Sequence, residues 1–123
     1  MKVFVIEDEK VLLKVIKERL EKESFGVGFA HDGDTSLSEV RKFNPDLILL
    51  DLLLPKVSGL EVLASLKKDN NLKKIPVIIL SNLSDSQNIK KALNMGAVDY
   101  MIKTEHPINE VVEKVSKYIL KAR

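Results

Sequence analysis

Leu47-Ile48-Leu49-Leu50-Asp51 is a run of four apolar residues that meets an acid at its end. The run is bounded by Asn44-Pro45 on one side and Pro55 on the other. A short, wholly apolar run between turn residues reads as a strand covered on both faces. The pattern recurs. Val3-Phe4-Val5-Ile6 leads into Glu7-Asp8, and Val77-Ile78-Ile79-Leu80 into Ser81. Val98-Asp99-Tyr100-Met101-Ile102 leads into Lys103. If these runs are parallel strands, every one of those polar groups lies at the same edge of one sheet.

The segments between the runs carry helical spacing. Leu12, Val15, Ile16 and Leu20 predict a first helix over 10–22. A second strand over 25–30 follows, then a turn at Asp32-Gly33-Asp34. Leu37, Val40 and Phe43 mark a second helix, stopped by Asn44-Pro45. Ser58 with Glu61 three residues on forms a capping-box pattern for a third helix that carries Leu60, Leu63 and Leu66. Ile89, Ala92 and Leu93 predict a fourth, ended by Gly96 in a left-handed position. Pro107 suits the first turn of a last helix, striped by Ile108, Val111, Val112, Val115 and Ile119, that runs to Arg123. Strict alternation of strand and helix predicts a parallel sheet. Gly-containing 25–30 and polar-diluted 98–102 are the edge candidates. The fold class is therefore α/β, a flavodoxin-like doubly wound sheet of five parallel strands in the order 2-1-3-4-5 with five helices. Right-handed crossovers are expected to put the helices on alternate faces.

The chain has 123 residues, the length of a single domain spanning 1–123. Apolar residues make up 45% and charged residues 31%, which reads as a globular rather than a disordered chain. The absence of cysteine removes disulfide, thiolate-metal and thiol chemistry and fits a reducing compartment. Twenty basic residues against 18 acidic ones leave +2, too little to predict direct nucleic-acid binding. Met1-Lys2 leads straight into a strand with no leader pattern. No apolar stretch approaches the roughly 18 residues of a membrane span, so a cytoplasmic protein is expected.

In an open sheet of this kind ligands bind beyond the carboxyl ends of the strands, where the strand order reverses. Here that is between the first and third strands, which carry Glu7-Asp8 and Asp51. Three carboxylates in one crevice require a cation or a retained proton. An oxygen-only cluster suits Mg2+. A metal beside Asp51 makes that aspartate usable as a nucleophile toward phosphorus. Lys103 then suits one phosphoryl oxygen and the Ser81 hydroxyl another. Taken singly, each residue has an ordinary explanation: Asp51 as a cap or turn residue, Glu7-Asp8 as first-turn acids, Ser81 as a turn former, Lys103 as a surface lysine. Their shared placement is what carries the argument.

These motifs are Val3-Phe4-Val5-Ile6-Glu7-Asp8-Glu9, Asp46-Leu47-Ile48-Leu49-Leu50-Asp51-Leu52-Leu53-Leu54-Pro55, Gly59, Ser81, and Asp99-Tyr100-Met101-Ile102-Lys103. With them the chain resembles, over its whole length, a response-regulator receiver domain of two-component signalling. The resemblance implies that Asp51 accepts a phosphoryl group from a phosphohistidine on a histidine kinase or phosphotransfer protein. It implies Mg2+ held by Glu7, Asp8, Asp51 and the main-chain carbonyl of Leu53, and phosphoryl oxygens bound by Ser81 and Lys103. Tyr100 matches the switch aromatic, expected to turn inward once Ser81 is drawn to the phosphoryl group. The surface of the fourth helix, fifth strand and fifth helix then changes for an effector bound in trans. The chain is expected to be a phosphoacceptor rather than a true enzyme, and a monomer or a phosphorylation-dependent dimer.

Three departures from the family pattern matter, the first being Glu7 where aspartate is commoner, a longer acid still expected to reach the metal. Thr104 stands after Lys103 where proline is usual, so a trans bond is expected there. Leu53 and Leu83 stand at the two positions that tune dephosphorylation, which predicts slow hydrolysis. A phosphorylation-independent interaction module is the alternative reading. An aspartyl-phosphate phosphatase would need an Asp nucleophile after the first strand, where Glu7 and Glu9 stand. Flavin binding would need a glycine- and hydroxyl-rich loop where Glu7-Asp8-Glu9-Lys10 stands. His31 and His106 are expected to be surface residues, Asp32 and Asp34 turn formers, and Met95 and Met101 packing residues.

Overall fold

A computed structural model describes residues 1–121 of the chain. Ten elements alternate along it: β1 Lys2–Ile6, α1 Lys10–Lys22, β2 Gly26–Ala30, α2 Gly33–Phe43, β3 Leu47–Leu50, α3 Gly59–Lys68, β4 Val77–Ser81, α4 Ser86–Asn94, β5 Asp99–Ile102 and α5 Ile108–Lys121. The expected end of the last helix at Arg123 lies outside the described residues. All strands are parallel, in the order β2-β1-β3-β4-β5.

Every residue of β3 and β4 is buried, whereas β2 and β5 at the edges are mixed. The alternation of side chains along a strand splits the core into two layers. Phe4, Ile6, Ile48, Leu50, Val77 and Ile79 face one way, against Val40, Val62, Leu63, Leu66 and Ala92 of α2, α3 and α4. Val3, Val5, Leu47, Leu49, Ile78 and Leu80 face the other, against Leu13, Ile16 and Leu20 of α1 and Val111, Val115 and Ile119 of α5. The helices therefore do not alternate between faces, as the sequence reading had it. Right-handed crossovers keep consecutive helices on one face as long as the strands advance in one direction. The chain steps outward from β1 to β2, reverses there, and then advances in one direction through β3, β4 and β5, which groups α2, α3 and α4.

The ends of the helices follow local chemistry. Asp32, Ser58 and Asp85 each accept a backbone N–H three residues on, which caps α2, α3 and α4. Asn44 closes α2 in the left-handed region at φ 53°. Gly96, at φ 112°, ends the α4 turn where a side chain would be strained. Pro107 lies one residue before α5 rather than inside its first turn. Among the described residues no peptide bond is cis, the one after Lys103 included. No helix among them is long and apolar enough to cross a membrane.

Candidate functional site

The hydrogen-bond ladder of the sheet continues one step past the strand ends, and that step places the polar residues. Ile6 pairs with Leu50 across β1 and β3. The next amide, that of Asp51, donates to Ile6 O at 3.0 Å. The Glu7 amide donates to Ala30 O at 3.0 Å, and the Lys103 amide to Ser81 O at 2.9 Å. Glu7, Asp51, Ser81 and Lys103 are thereby fixed at one edge by main chain alone. Gly59 completes the floor. A Cβ built there would sit 2.3 Å from Asp51 O and 2.4 Å from Leu52 Cα, so α3 can start this close to the nucleophile candidate only with glycine.

Carboxylate oxygens of Glu7, Asp8 and Asp51 lie within 4.8 Å of one another. Glu7 and Asp51 are buried and Asp8 is exposed, so the cluster opens to solvent on one side. Lys103 Nζ reaches into it, 2.8 Å from Glu7 Oε1, 2.8 Å from Asp51 Oδ2 and 3.1 Å from Glu9 Oε2. Burial pushes the Glu7 carboxyl up to about 7; the Lys103 hydrogen bond opposes this and the charge of Asp51 adds to it. Burial works to lower the Lys103 ammonium, but its hydrogen bonds to Asp51 and Glu7 outweigh that and raise it above the ordinary lysine value. The repulsion among the acids is thus relieved by the Lys103 ammonium, and burial makes Glu7 the acid that takes up a proton more readily than a free carboxyl. The donors are all hard oxygens, with one carboxylate facing water. That chemistry fits a magnesium-type cation, which keeps several of its waters.

The other singled-out residues surround this cluster. The Leu53 amide donates to Asp51 Oδ1 at 3.1 Å, while the Leu53 side chain is exposed. Ser81 is fully buried and its Oγ accepts the Leu83 amide at 3.4 Å. The Leu83 side chain is half-buried, against the α2–α4 layer. The Tyr100 hydroxyl donates to Leu83 O at 2.6 Å. The tyrosine therefore bridges β5 to the β4–α4 loop with its ring half-buried. Burial and the charge of Asp85 raise its phenol.

Sequence reasoning gave Glu9 no role, although it stands in the quoted motif. Its signal was position: it follows Glu7 by two residues, immediately before α1. Asp32 caps α2, accepting the Thr35 amide at 3.0 Å. Met101 is buried, and Met95 packs against the core. His31 is not the plain surface residue expected. It is half-buried beside Phe29, with ring centroids 5.4 Å apart, and its Nδ1 is buried without a hydrogen-bond partner. His106 is half-buried too, 2.8 Å from Glu110.

Comparison with known proteins matches this geometry. The family model described as "Response regulator receiver domain" matches residues 3–116. A probable transcriptional regulator, ycf29 of Pyropia yezoensis, is 36% identical over 118 residues, covering 96% of this chain and 53% of its own length. The chain spans about half the length of the curated relatives it matches. Among solved structures, the receiver domain of the Francisella response regulator 1452 superposes with a TM-score of 0.91 at 31% identity, covering 99% of this chain and 98% of that one. The phosphorylated cyanobacterial phytochrome response regulator RcpA gives 0.86 at 31% identity, covering 99% and 95%.

Proposed function

The chain belongs to the response regulator receiver domain family, and from that premise we propose that Asp51 is its phosphoacceptor. The observation that carries this reading is the convergence of Glu7, Asp8 and Asp51 within 4.8 Å, with the Lys103 ammonium 2.8 Å from Asp51. An Asp51 carboxylate oxygen attacks the phosphorus of a phosphohistidine on a kinase or phosphotransfer protein. The P–N bond breaks, and the departing imidazole nitrogen keeps the electron pair and takes up a proton. Asp51 is left as an acyl phosphate, which water later hydrolyses. Glu7, Asp8, Asp51 and the Leu53 carbonyl would hold Mg2+, which when bound neutralises charge on the acids and on the incoming phosphoryl oxygens. Lys103 and the Ser81 hydroxyl then take phosphoryl oxygens.

The chain is in this reading a switch rather than an enzyme turning over a substrate, in a cytoplasmic setting. Phosphoryl oxygens accept from the Ser81 hydroxyl and draw it toward Asp51, away from the Leu83 amide that donates to its Oγ. The loop that anchors Tyr100 through Leu83 O responds, and the α4–β5–α5 surface is read by an effector in trans. Relatives of about twice the length are named as transcriptional regulators, so a covalently joined reader is the alternative outcome. RcpA, described as phosphorylated, supports the chemistry by likeness.

The test is intact-mass measurement after acetyl phosphate with magnesium. Wild type gains one phosphoryl mass and Asp51→Ala gains none. A wild type that stays unlabelled, while a magnesium titration leaves its amide spectrum unmoved, removes the proposal. One observation favours a second reading, a phosphorylation-independent interaction module: Thr104 follows Lys103 where the family usually has proline. Partner binding that survives Asp51→Ala at full strength supports it.

A further inference from the structure

Lys103 Nζ carries three N–H donors, and each has a carboxylate within reach: Glu7 at 2.8 Å, Asp51 at 2.8 Å and Glu9 at 3.1 Å. No donor is spare for a phosphoryl oxygen. The three partners differ in what their release costs. The Glu7 and Asp51 side chains are 2% and 3% exposed, and that of Glu9 is 56% exposed. Freeing Glu7 would strand a buried charge, whereas Glu9 returns to water. Glu9 is also well placed to hold and let go. Its amide donates to Glu7 Oε2 at 3.1 Å, which fixes its backbone beside the cluster. Its side chain makes no cap hydrogen bond to α1, so no local donor competes for it.

We infer that Glu9 is a positioning residue: its carboxylate occupies the third Lys103 donor in the resting protein and yields that donor to a phosphoryl oxygen on Asp51. The inference rests on the reading of Asp51 as phosphoacceptor. Glu9 thereby sets a threshold. Lys103 is held ready over the pocket, but each phosphorylation must first exchange one carboxylate for the incoming oxygen.

Two variants separate this from simple repulsion of an anionic donor. Glu9→Gln keeps the length and removes the charge. Glu9→Asp keeps the charge but is one methylene shorter and falls short of Nζ. The experiment follows the full chain with acetyl phosphate and magnesium by intact mass, and separately follows the Lys103 ammonium NMR signal in chelator. In the labelling step the Asp51 oxygen–phosphorus bond forms, the phosphorus–oxygen bond to the acetyl group breaks, and acetate leaves with the electron pair.

Both variants are expected to label about five-fold faster than wild type, the factor to which about 1 kcal/mol of a partly exposed ion pair corresponds. In both, the Lys103 ammonium protons exchange faster with water. Labelling at the wild-type rate in both variants, an unmoved Lys103 signal, or acceleration by Gln but not by Asp each overturns the inference while leaving Asp51 as acceptor. A wild type that never labels removes the proposed function itself, and the exchange at Lys103 with it.

Discussion

Lys103 Nζ and Glu7 Oε1 lie 2.8 Å apart with their side chains 10% and 2% exposed, so this ion pair is closed off from most water. The pair has a pH signature. Glu7 titrates at about 7 in the folded protein against 4.5 for a free carboxyl. A folded value above the unfolded one means the folded state holds the proton more tightly. The stabilising contribution is full below the unfolded value and disappears as the pH rises through about 7. In chelator, stability is therefore expected to fall by about 3 kcal/mol from this group across that window, at about 1.4 kcal/mol per unit. The raised Lys103 loses its contribution only at pH above the ordinary lysine value, and the lowered Asp32, Asp69 and Asp85 lose theirs only below the ordinary aspartate value. Urea unfolding at steps of pH checks this. The Glu7→Gln variant should be flat over the same range, and a wild type equally flat refutes the assignment.

Removing the lysine should hurt most where Glu7 is charged. Lys103→Met leaves the Glu7 and Asp51 carboxylates facing each other without the ammonium. Breaking a buried pair from one side costs about 3–5 kcal/mol. In acid, Glu7 takes a proton and the cost shrinks. The variant is thus expected to lose clearly more unfolding free energy at about pH 8 than at about pH 5. Equal losses at both would mean that Lys103 contributes packing and not charge. Magnesium should restore part of the loss at the higher pH, by mass action on the folded form.

Gly59 ties stability to the site. A methyl group there must displace Asp51 O or Leu52 Cα, both backbone atoms that cannot rotate away. Gly59→Ala is expected to cost about 2 kcal/mol or more, as overpacking does, and to slow phosphoryl uptake because the strand end bearing Asp51 shifts. Calorimetry and acetyl phosphate labelling measure the two effects. A variant with wild-type melting and wild-type labelling would show that α3 can simply retreat.

Lys56 shows where the sequence stopped being readable. The Val57 amide donates to Pro55 O at 2.8 Å, closing a three-residue turn with Lys56 at its centre at φ 68°. Nothing in Pro55-Lys56-Val57 announces a left-handed residue, because lysine has no preference for it. The strand ends were legible for the opposite reason: apolar runs fix the strands, and the ladder carries Glu7, Asp51, Ser81 and Lys103 to one edge whatever the loops do. Glu9 and the Tyr100–Leu83 contact depend on loop paths and rotamers, which no periodicity encodes. The faces of the helices were misjudged because alternation along the chain was taken for alternation in space. Lys56→Gly should relieve about 1 kcal/mol of strain, partly offset by a freer unfolded chain, for a net gain of about 0.5 kcal/mol. The exposed Lys56–Asp32 pair, at 3.8 Å, takes little away. A lower melting temperature in the glycine variant would count against strain at this turn.

On the proposed reading of Asp51 as phosphoacceptor, Leu53 and Leu83 are expected to set how long its phosphoryl group lasts. Their amides touch the site, with Leu53 N–H on Asp51 Oδ1 at 3.1 Å and Leu83 N–H on Ser81 Oγ at 3.4 Å. Their side chains offer no donor or acceptor, so neither can hold a water in line with the scissile bond. Loss of phosphate from wild type is therefore expected to be slow. Leu53→Asn with Leu83→Glu supplies an amide and a carboxylate and should speed hydrolysis about ten-fold or more. Leu53 is 53% exposed, so that substitution leaves the core intact. Leu83 packs in part against the core, which makes Leu53→Asn alone the cleaner arm for folding. Time courses of phosphoryl mass after removal of acetyl phosphate give both rates. A double variant that loads normally yet hydrolyses no faster would assign the lifetime to the closed Lys103–Glu7 cluster instead of the two leucines.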